Sequence, residues 1–152
     1  MDQQTFLALC DYFNMVHSVT LRAIDAFTSQ ALDFRPKPEV RTPRELIFHM
    51  YSQEKILAEA AQSGQFTAEA ASLSNPEEQA AAAELQALVT VNDLKTYAQE
   101  CHRTAQSIFS SMSENGLDHP VESPFGTYPA WRYFAFAYDE HWHHRGQIYT
   151  YL

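Results

Sequence analysis

The sequence predicts an all-α fold, a four-helix bundle with a long crossover between helices 2 and 3. Three observations carry that prediction. Four long segments repeat apolar residues at spacings of three and four, the period of a helix with one buried face. Ala is abundant, Val and Ile are few, and Gly holds only 4 positions, a composition that favours helix over sheet. The run from Gln65 to Val89 is rich in Ala and Glu and has a thin apolar face. Such a run suits a connection by which a bundle passes from one helix to a non-adjacent one.

The first helix spans about Gln3 to Phe27, with Phe6, Leu9, Cys10, Phe13, His17, Thr20, Leu21, Ile24 and Phe27 on one face. Pro36 and Pro38 lie in the breaker that follows, because two prolines so close cannot continue a helix. The second helix starts at Thr42 as N-cap, with Pro43 in the first position and Glu45 completing a capping box. Its stripe is Leu46, His49, Met50, Gln53, Ile56 or Leu57, and Ala60, and it runs out at Ser63-Gly64. The crossover carries one short helix, started by Pro76-Glu77-Glu78 with acids at the positive end of the dipole.

The third helix begins between Thr90 and Asp93. Leu94, Tyr97, Ala98, Cys101, Thr104, Ala105, Ile108 and Met112 form its stripe, and Glu114-Asn115-Gly116 stops it. A loop with Pro120, Pro124, Gly126 and Pro129 leads to a fourth helix over about Tyr128 to Leu152, dense in aromatic residues. No repeat or low-complexity tract marks a second unit, so residues 1–152 are expected to form one domain.

Lys and Arg number 10 against 19 Asp and Glu, a net charge of -9. Phosphate-rich partners select clustered basic residues, so a nucleic-acid binder and a polybasic membrane anchor are both excluded. With 45% hydrophobic residues the chain buries a core rather than staying disordered. Cys10 and Cys101 form no CxxC and sit in helical patterns, so they are expected to be small buried hydrophobes. No apolar run approaches a membrane span, and the N-terminus lacks the pattern of a signal peptide. A cytoplasmic protein is therefore expected.

The seven histidines carry the chemistry of interest. On a helix only side chains three or four apart meet on one face, which pairs Glu140 with His144 and His141 with His144. His143 is expected to point outward. His49 lies in the apolar stripe of the second helix, and a buried imidazole needs partners for its nitrogens. A divalent metal shared with the His141/His144 cluster is one such partner; a water or another side chain is the other. His17, on the apolar face of the first helix, is expected as a hydrogen-bonded core histidine. His102 and His119 are expected at the surface, and Asp139 as a solvated charge. Gly146, costly in a helix interior, suggests close backbone approach to a neighbour. Gln147, three residues beyond His144, reaches the same pocket or caps a neighbouring polar group.

His144-Arg145-Gly146-Gln147-Ile148, behind a His-rich turn, resembles the closing motif of the DinB/YfiT-like superfamily. His49, after Arg41-Thr42-Pro43, matches that family's upstream metal histidine. The resemblance covers essentially the whole chain. It implies an up-down-down-up four-helix bundle, often a homodimer, with a divalent metal, commonly zinc or nickel, held by three histidines. Relatives include S-transferases using a low-molecular-weight thiol and a mycothiol-dependent maleylpyruvate isomerase. The sequence departs from the pattern once. A histidine belongs four residues before the His of HRGQ; here Glu140 stands there, and the histidine is displaced to His141.

Two arrangements follow. Either His49, Glu140 and His144 form a site of two histidines and one carboxylate, which supports zinc, nickel or iron(II), or the geometry is lost and His141 substitutes or turns away. In the second case the chain can also bind no metal. A three-ligand site with an open position is the catalytic type, and with it the resemblance implies a metal-dependent S-transferase or hydrolase acting on a small molecule. The competing class is a non-catalytic bundle that binds a metal or small molecule. Trp131, Phe134, Tyr138 and Trp142 give the fourth helix more aromatic surface than one buried face uses, which points to a homodimer.

Overall fold

The structure is a computed structural model that describes residues 2–152. Four long helices make the bundle: α1 (Gln3–Asp25), α2 (Pro43–Ser63), α5 (Val91–Ser110) and α7 (Ala130–Tyr149). Between them lie α3 (Ala68–Leu73), α4 (Gln79–Ala87), α6 (Glu114–Leu117) and the strands β1 (Pro120–Ser123) and β2 (Gly126–Pro129). Helix α2 is central and packs along both α7 and α5, while α1 closes the far side against α5.

The local chemistry explains the helix ends. Asp2 caps α1 by accepting from the Thr5 backbone N–H. Thr42 and Glu45 form a full capping box at α2, and Thr90 and Asp93 form one at α5. Gly64 ends α2 in the left-handed region at φ 79°, where a Cβ would also meet His119 Nε2 at 2.9 Å. Two apolar clusters fill the bundle. One, around Phe6, Phe13, Phe109 and Phe134, is built of rings meeting edge to face. The other packs Ile24, Leu32, Ile47, Phe48 and Leu94.

Several elements differ from the sequence expectation. The crossover holds two short helices, not one. Pro76 lies in the turn before α4, where it cannot obstruct a helical hydrogen bond. Helix α5 stops at Ser110, and Glu114-Asn115-Gly116 opens α6, capped by Ser113, instead of acting as a stop. The proline-containing loop is an antiparallel hairpin in register Val121↔Tyr128. Its first strand is anchored to the end of α2 by Glu122 N–H to the Gly64 carbonyl (2.9 Å) and Phe66 N–H to the Glu122 carbonyl (2.8 Å). Phe134 is a core residue, whereas Trp142 is 41% exposed. Gly146 has open space where a Cβ would stand, so its expected close approach is absent. Among the described residues, no helix is long and apolar enough to cross a membrane.

Candidate metal centre

Helices α2 and α7 bring their polar positions to one point. The capped start of α2 sets its phase, so that Leu46 and Met50 are buried and His49 faces α7, half-buried. On α7, Glu140 and His144 stand one turn apart on the facing side. The His49 and His144 rings meet edge to face with centroids 4.8 Å apart. Glu140 Oε2 lies 3.1 Å from His144 Nε2 and 3.8 Å from His49 Nε2. One ligand atom from each of the three residues falls within 4.8 Å of the others.

The hydrogen bonds behind these side chains fix what they present. His49 Nδ1–H donates to the Ser74 backbone carbonyl at 2.6 Å. A carbonyl only accepts, so the His49 proton is on Nδ1 and Nε2 presents a lone pair. His144 Nδ1–H donates to Gln147 Oε1 at 2.8 Å, while the Gln147 amide N–H reaches His143 Nε2 at 3.3 Å. His144 Nε2 stands 3.1 Å from Glu140 Oε2, a contact satisfied by a proton on Nε2 or by a cation between the two. Two imidazole nitrogens and a carboxylate converge, a set that a cation can occupy in place of the His144–Glu140 hydrogen bond. The neighbouring imidazoles of His144 and His49 hold the Glu140 carboxyl well below the usual carboxylate range. This donor set, with both distal nitrogens engaged, fits a divalent ion.

The groove between α2 and α7 opens on both sides of this point. A cleft of about 470 Å³ lies on the His144 side, lined in part by Arg41, Gln147 and Thr150. A cleft of about 420 Å³ lies on the Glu140 side, beneath the hairpin.

The sequence profile of the DinB superfamily matches residues 12–148. The chain belongs to the DinB superfamily. Two solved structures share its fold. A DinB-like protein of Bacillus subtilis, YjoA, is 17% identical, with a TM-score of 0.72 over 95% of this chain and 88% of that one. A mycothiol-dependent maleylpyruvate isomerase is 18% identical, with a TM-score of 0.71 over 97% of this chain and 61% of that one. No protein of curated function matches the sequence.

In this DinB chain His141 does not join the cluster. It is fully buried on another side of α7, where its Nε2 lies 2.7 Å from Thr20 Oγ1 and its ring packs edge to face on Phe13 and Tyr51. Burial holds its pKa well below the ordinary histidine value. His17 is likewise a core histidine. Its Nδ1 meets the Tyr51 hydroxyl at 3.0 Å, and burial lowers its pKa to about 3.

Two further members of this core network escaped the sequence reading. His102 was expected at the surface but is buried, stacked on His17 at 3.8 Å and held by Glu54 Oε1 (2.7 Å) and Asn14 Oδ1 (2.8 Å). Glu54 is completely buried, which raises its carboxyl pKa against the opposing pull of His102. Glu54 Oε2 and His141 Nδ1 lie 3.8 Å apart, too far to bond, and neither has another partner. A signal existed: Ile47, Met50, Glu54, Leu57 and Ala61 follow core spacing, as do Leu94, Ala98, His102, Ala105 and Phe109. Ser74 had no such signal, because it acts through its backbone. His119, His143 and Asp139 are exposed. Cys10 and Cys101 are free and buried, and burial pushes both thiols up to about 12, which removes them as nucleophiles at neutral pH.

Proposed function

We infer that this DinB protein is a metal-dependent enzyme acting on a small molecule, as a thiol-dependent S-transferase or a hydrolase. His49 Nε2, Glu140 and His144 Nε2 would hold a divalent ion, zinc or nickel. The observation that carries this reading is the convergence of His49 Nε2, Glu140 and His144 Nε2, with the other nitrogen of each imidazole engaged by Ser74 or Gln147. When bound, such an ion supplies Lewis acidity enough to ionise a water or a thiol near neutral pH.

The chain's own residues do the rest. Ser74 and Gln147 orient the two imidazoles with Nε2 towards Glu140. Arg41, tied to Glu77 by two contacts of 2.8 Å, holds the crossover against the start of α2 and so keeps Ser74 over His49. The cleft beside His144, with Arg41 and Gln147 among its apolar walls, suits a low-molecular-weight thiol, and the isomerase of the same fold is mycothiol-dependent by name.

Elemental analysis of tag-free protein tests the reading. The expected result is about one equivalent of metal per chain, lost in His49→Ala. A metal-dependent rate of N-acetylcysteine transfer to monochlorobimane then separates an enzyme from a binder. Wild type without metal after incubation with zinc and nickel would remove the proposal.

A further inference from the structure

The cleft on the Glu140 side has a character of its own. It runs along the α2–α7 groove from Gln53 and Glu140, beside the metal centre, to the hairpin. Its walls are rings: Phe66, Tyr128, Tyr133 and Phe136. Tyr133 meets Phe136 at 5.8 Å and 73°, and Tyr128 meets Phe136 at 6.0 Å and 86°. Edge-to-face sets of this kind present both faces and edges to a flat guest. Glu140 and Asp139 line its inner end, and the Arg132 guanidinium lies 4.7 Å from the Tyr128 ring centroid and 5.7 Å from that of Phe136.

Phe125 adds an independent observation. It sits at the hairpin tip, lines the same cleft and is 77% exposed. Folding gives no account of so exposed a phenylalanine. Nor is the tip loose. Phe125 N–H donates to Ser123 Oγ (3.2 Å), the Ser123 hydroxyl donates to the Gly126 carbonyl (2.7 Å), and the Tyr128 hydroxyl donates to the Phe125 carbonyl (3.1 Å). Gly126, at φ 120°, permits the turn. The hairpin base is fixed to α2 through Glu122. The ring is therefore held out over an aromatic slot with nothing to bury it.

We propose that this cleft binds a planar aromatic substrate, with Phe125 closing on its outer face and its reacting end at the Glu140 side of the centre. The proposal deepens the metal-enzyme reading and rests on it for the reacting end alone. A flat ring fills the slot between Phe66, Tyr133 and Phe136, and covering it buries Phe125, the most exposed large hydrophobic side chain among the described residues.

The test is a titration of the full chain with 2-naphthol, followed by proton NMR. Saturable binding of 2-naphthol is expected, weakened about tenfold in Phe125→Ala, which deletes mostly exposed atoms and should leave the melting temperature unchanged. Phe34→Ala is the control, since Phe34 is an exposed phenylalanine on the opposite cleft. It should bind 2-naphthol as wild type does. In cobalt-loaded protein the bound naphthol protons should broaden relative to zinc-loaded protein. Equal binding by Phe125→Ala and wild type, or weakening by Phe34→Ala instead, would overturn the proposal. So would cobalt uptake without broadening. Phe125-dependent binding in a chain that takes up no cobalt would keep the aromatic cleft and remove the metal-enzyme reading.

Discussion

Acid should destabilise this fold earlier than its carboxylates alone would require, and His17 sets the window. Its imidazole is 8% exposed, stacked on His102 and bonded to the Tyr51 hydroxyl, with a pKa lowered from 6.5 to about 3, by burial first and by the His102 charge second. The folded state therefore keeps His17 neutral, while the unfolded chain protonates it below pH 6.5. Stability is full above that value and falls as pH drops through the interval from 6.5 to about 3. Each pH unit in the interval costs about 1.4 kcal/mol, so going from pH 7.5 to 5 costs about 2 kcal/mol through this residue. That is a large share of a typical net stability of about 5–15 kcal/mol. Urea unfolding in chelator, at steps between pH 7.5 and 5, measures it in wild type and in His17→Gln, whose amide still offers Tyr51 a partner. The variant should start less stable and show a curve flatter by about 2 kcal/mol over the range. Buried His141 acts with the same sign, so some slope remains in the variant. Parallel curves for the two proteins would refute the assignment of the acid limb to His17.

Three further outcomes are expected. Gln147→Ala removes the acceptor of His144 Nδ1–H and should weaken zinc binding about 10–100-fold by competition titration, with the melting temperature of the metal-free protein little changed. Glu54→Ala breaks a fully buried pair with His102 and should cost about 3–5 kcal/mol in urea unfolding, with Glu54→Gln costing less because its amide oxygen still accepts from His102. Half-buried Trp131 and Tyr138 with exposed Trp142 and Tyr12 leave an aromatic face along α7 and α1, and a homodimer should cover it. Sedimentation at micromolar concentration should then give twice the 17.4 kDa chain mass, and only the single-chain mass would exclude the dimer.

The parts legible in the sequence were those written in local chemistry. Thr42-Pro43 with Glu45, Ser63-Gly64, and Thr90 with Asp93 are capping signals that depend on neighbours three or four residues away, and each marks an observed helix end. Helical phase put His49 on a buried stripe and paired His144 with Glu140 or His141, and the resemblance to the DinB/YfiT-like motif favoured Glu140. The hairpin was hidden because its pairing depends on Gly64 and Phe66, more than fifty residues earlier, and because its prolines mimic a loop. His102 and Glu54 were hidden for a different reason. Each is polar at a core-spaced position, and the burial of either makes sense only when the other faces it from another helix. The crossover's Ser74 acts through a carbonyl that every residue possesses, so its place over His49 is a property of the tertiary fold.

The one-residue displacement of histidine on α7 has a definite structural meaning. Successive residues of a helix point about 100° apart. Glu140 faces His49, so His141 faces the core, where Thr20, Phe13 and Tyr51 hold it. Bringing His141 to the centre would require rotating α7 and burying Glu140 in an apolar cluster, at the cost of an unpaired buried charge. The carboxylate therefore belongs to the proposed ligand set, and the set is of two histidines and one carboxylate, a type that accepts oxygen-preferring ions better than three imidazoles do. Glu140→His tests this directly. The Glu140 side chain is 40% exposed, which leaves room for an imidazole in the same direction. Competition between zinc and manganese should shift towards zinc in the variant, because a hard anionic ligand has been exchanged for a neutral nitrogen. An unchanged zinc-to-manganese ratio would mean that residue 140 does not touch the ion, and the centre would have to be rebuilt around His49 and His144 alone.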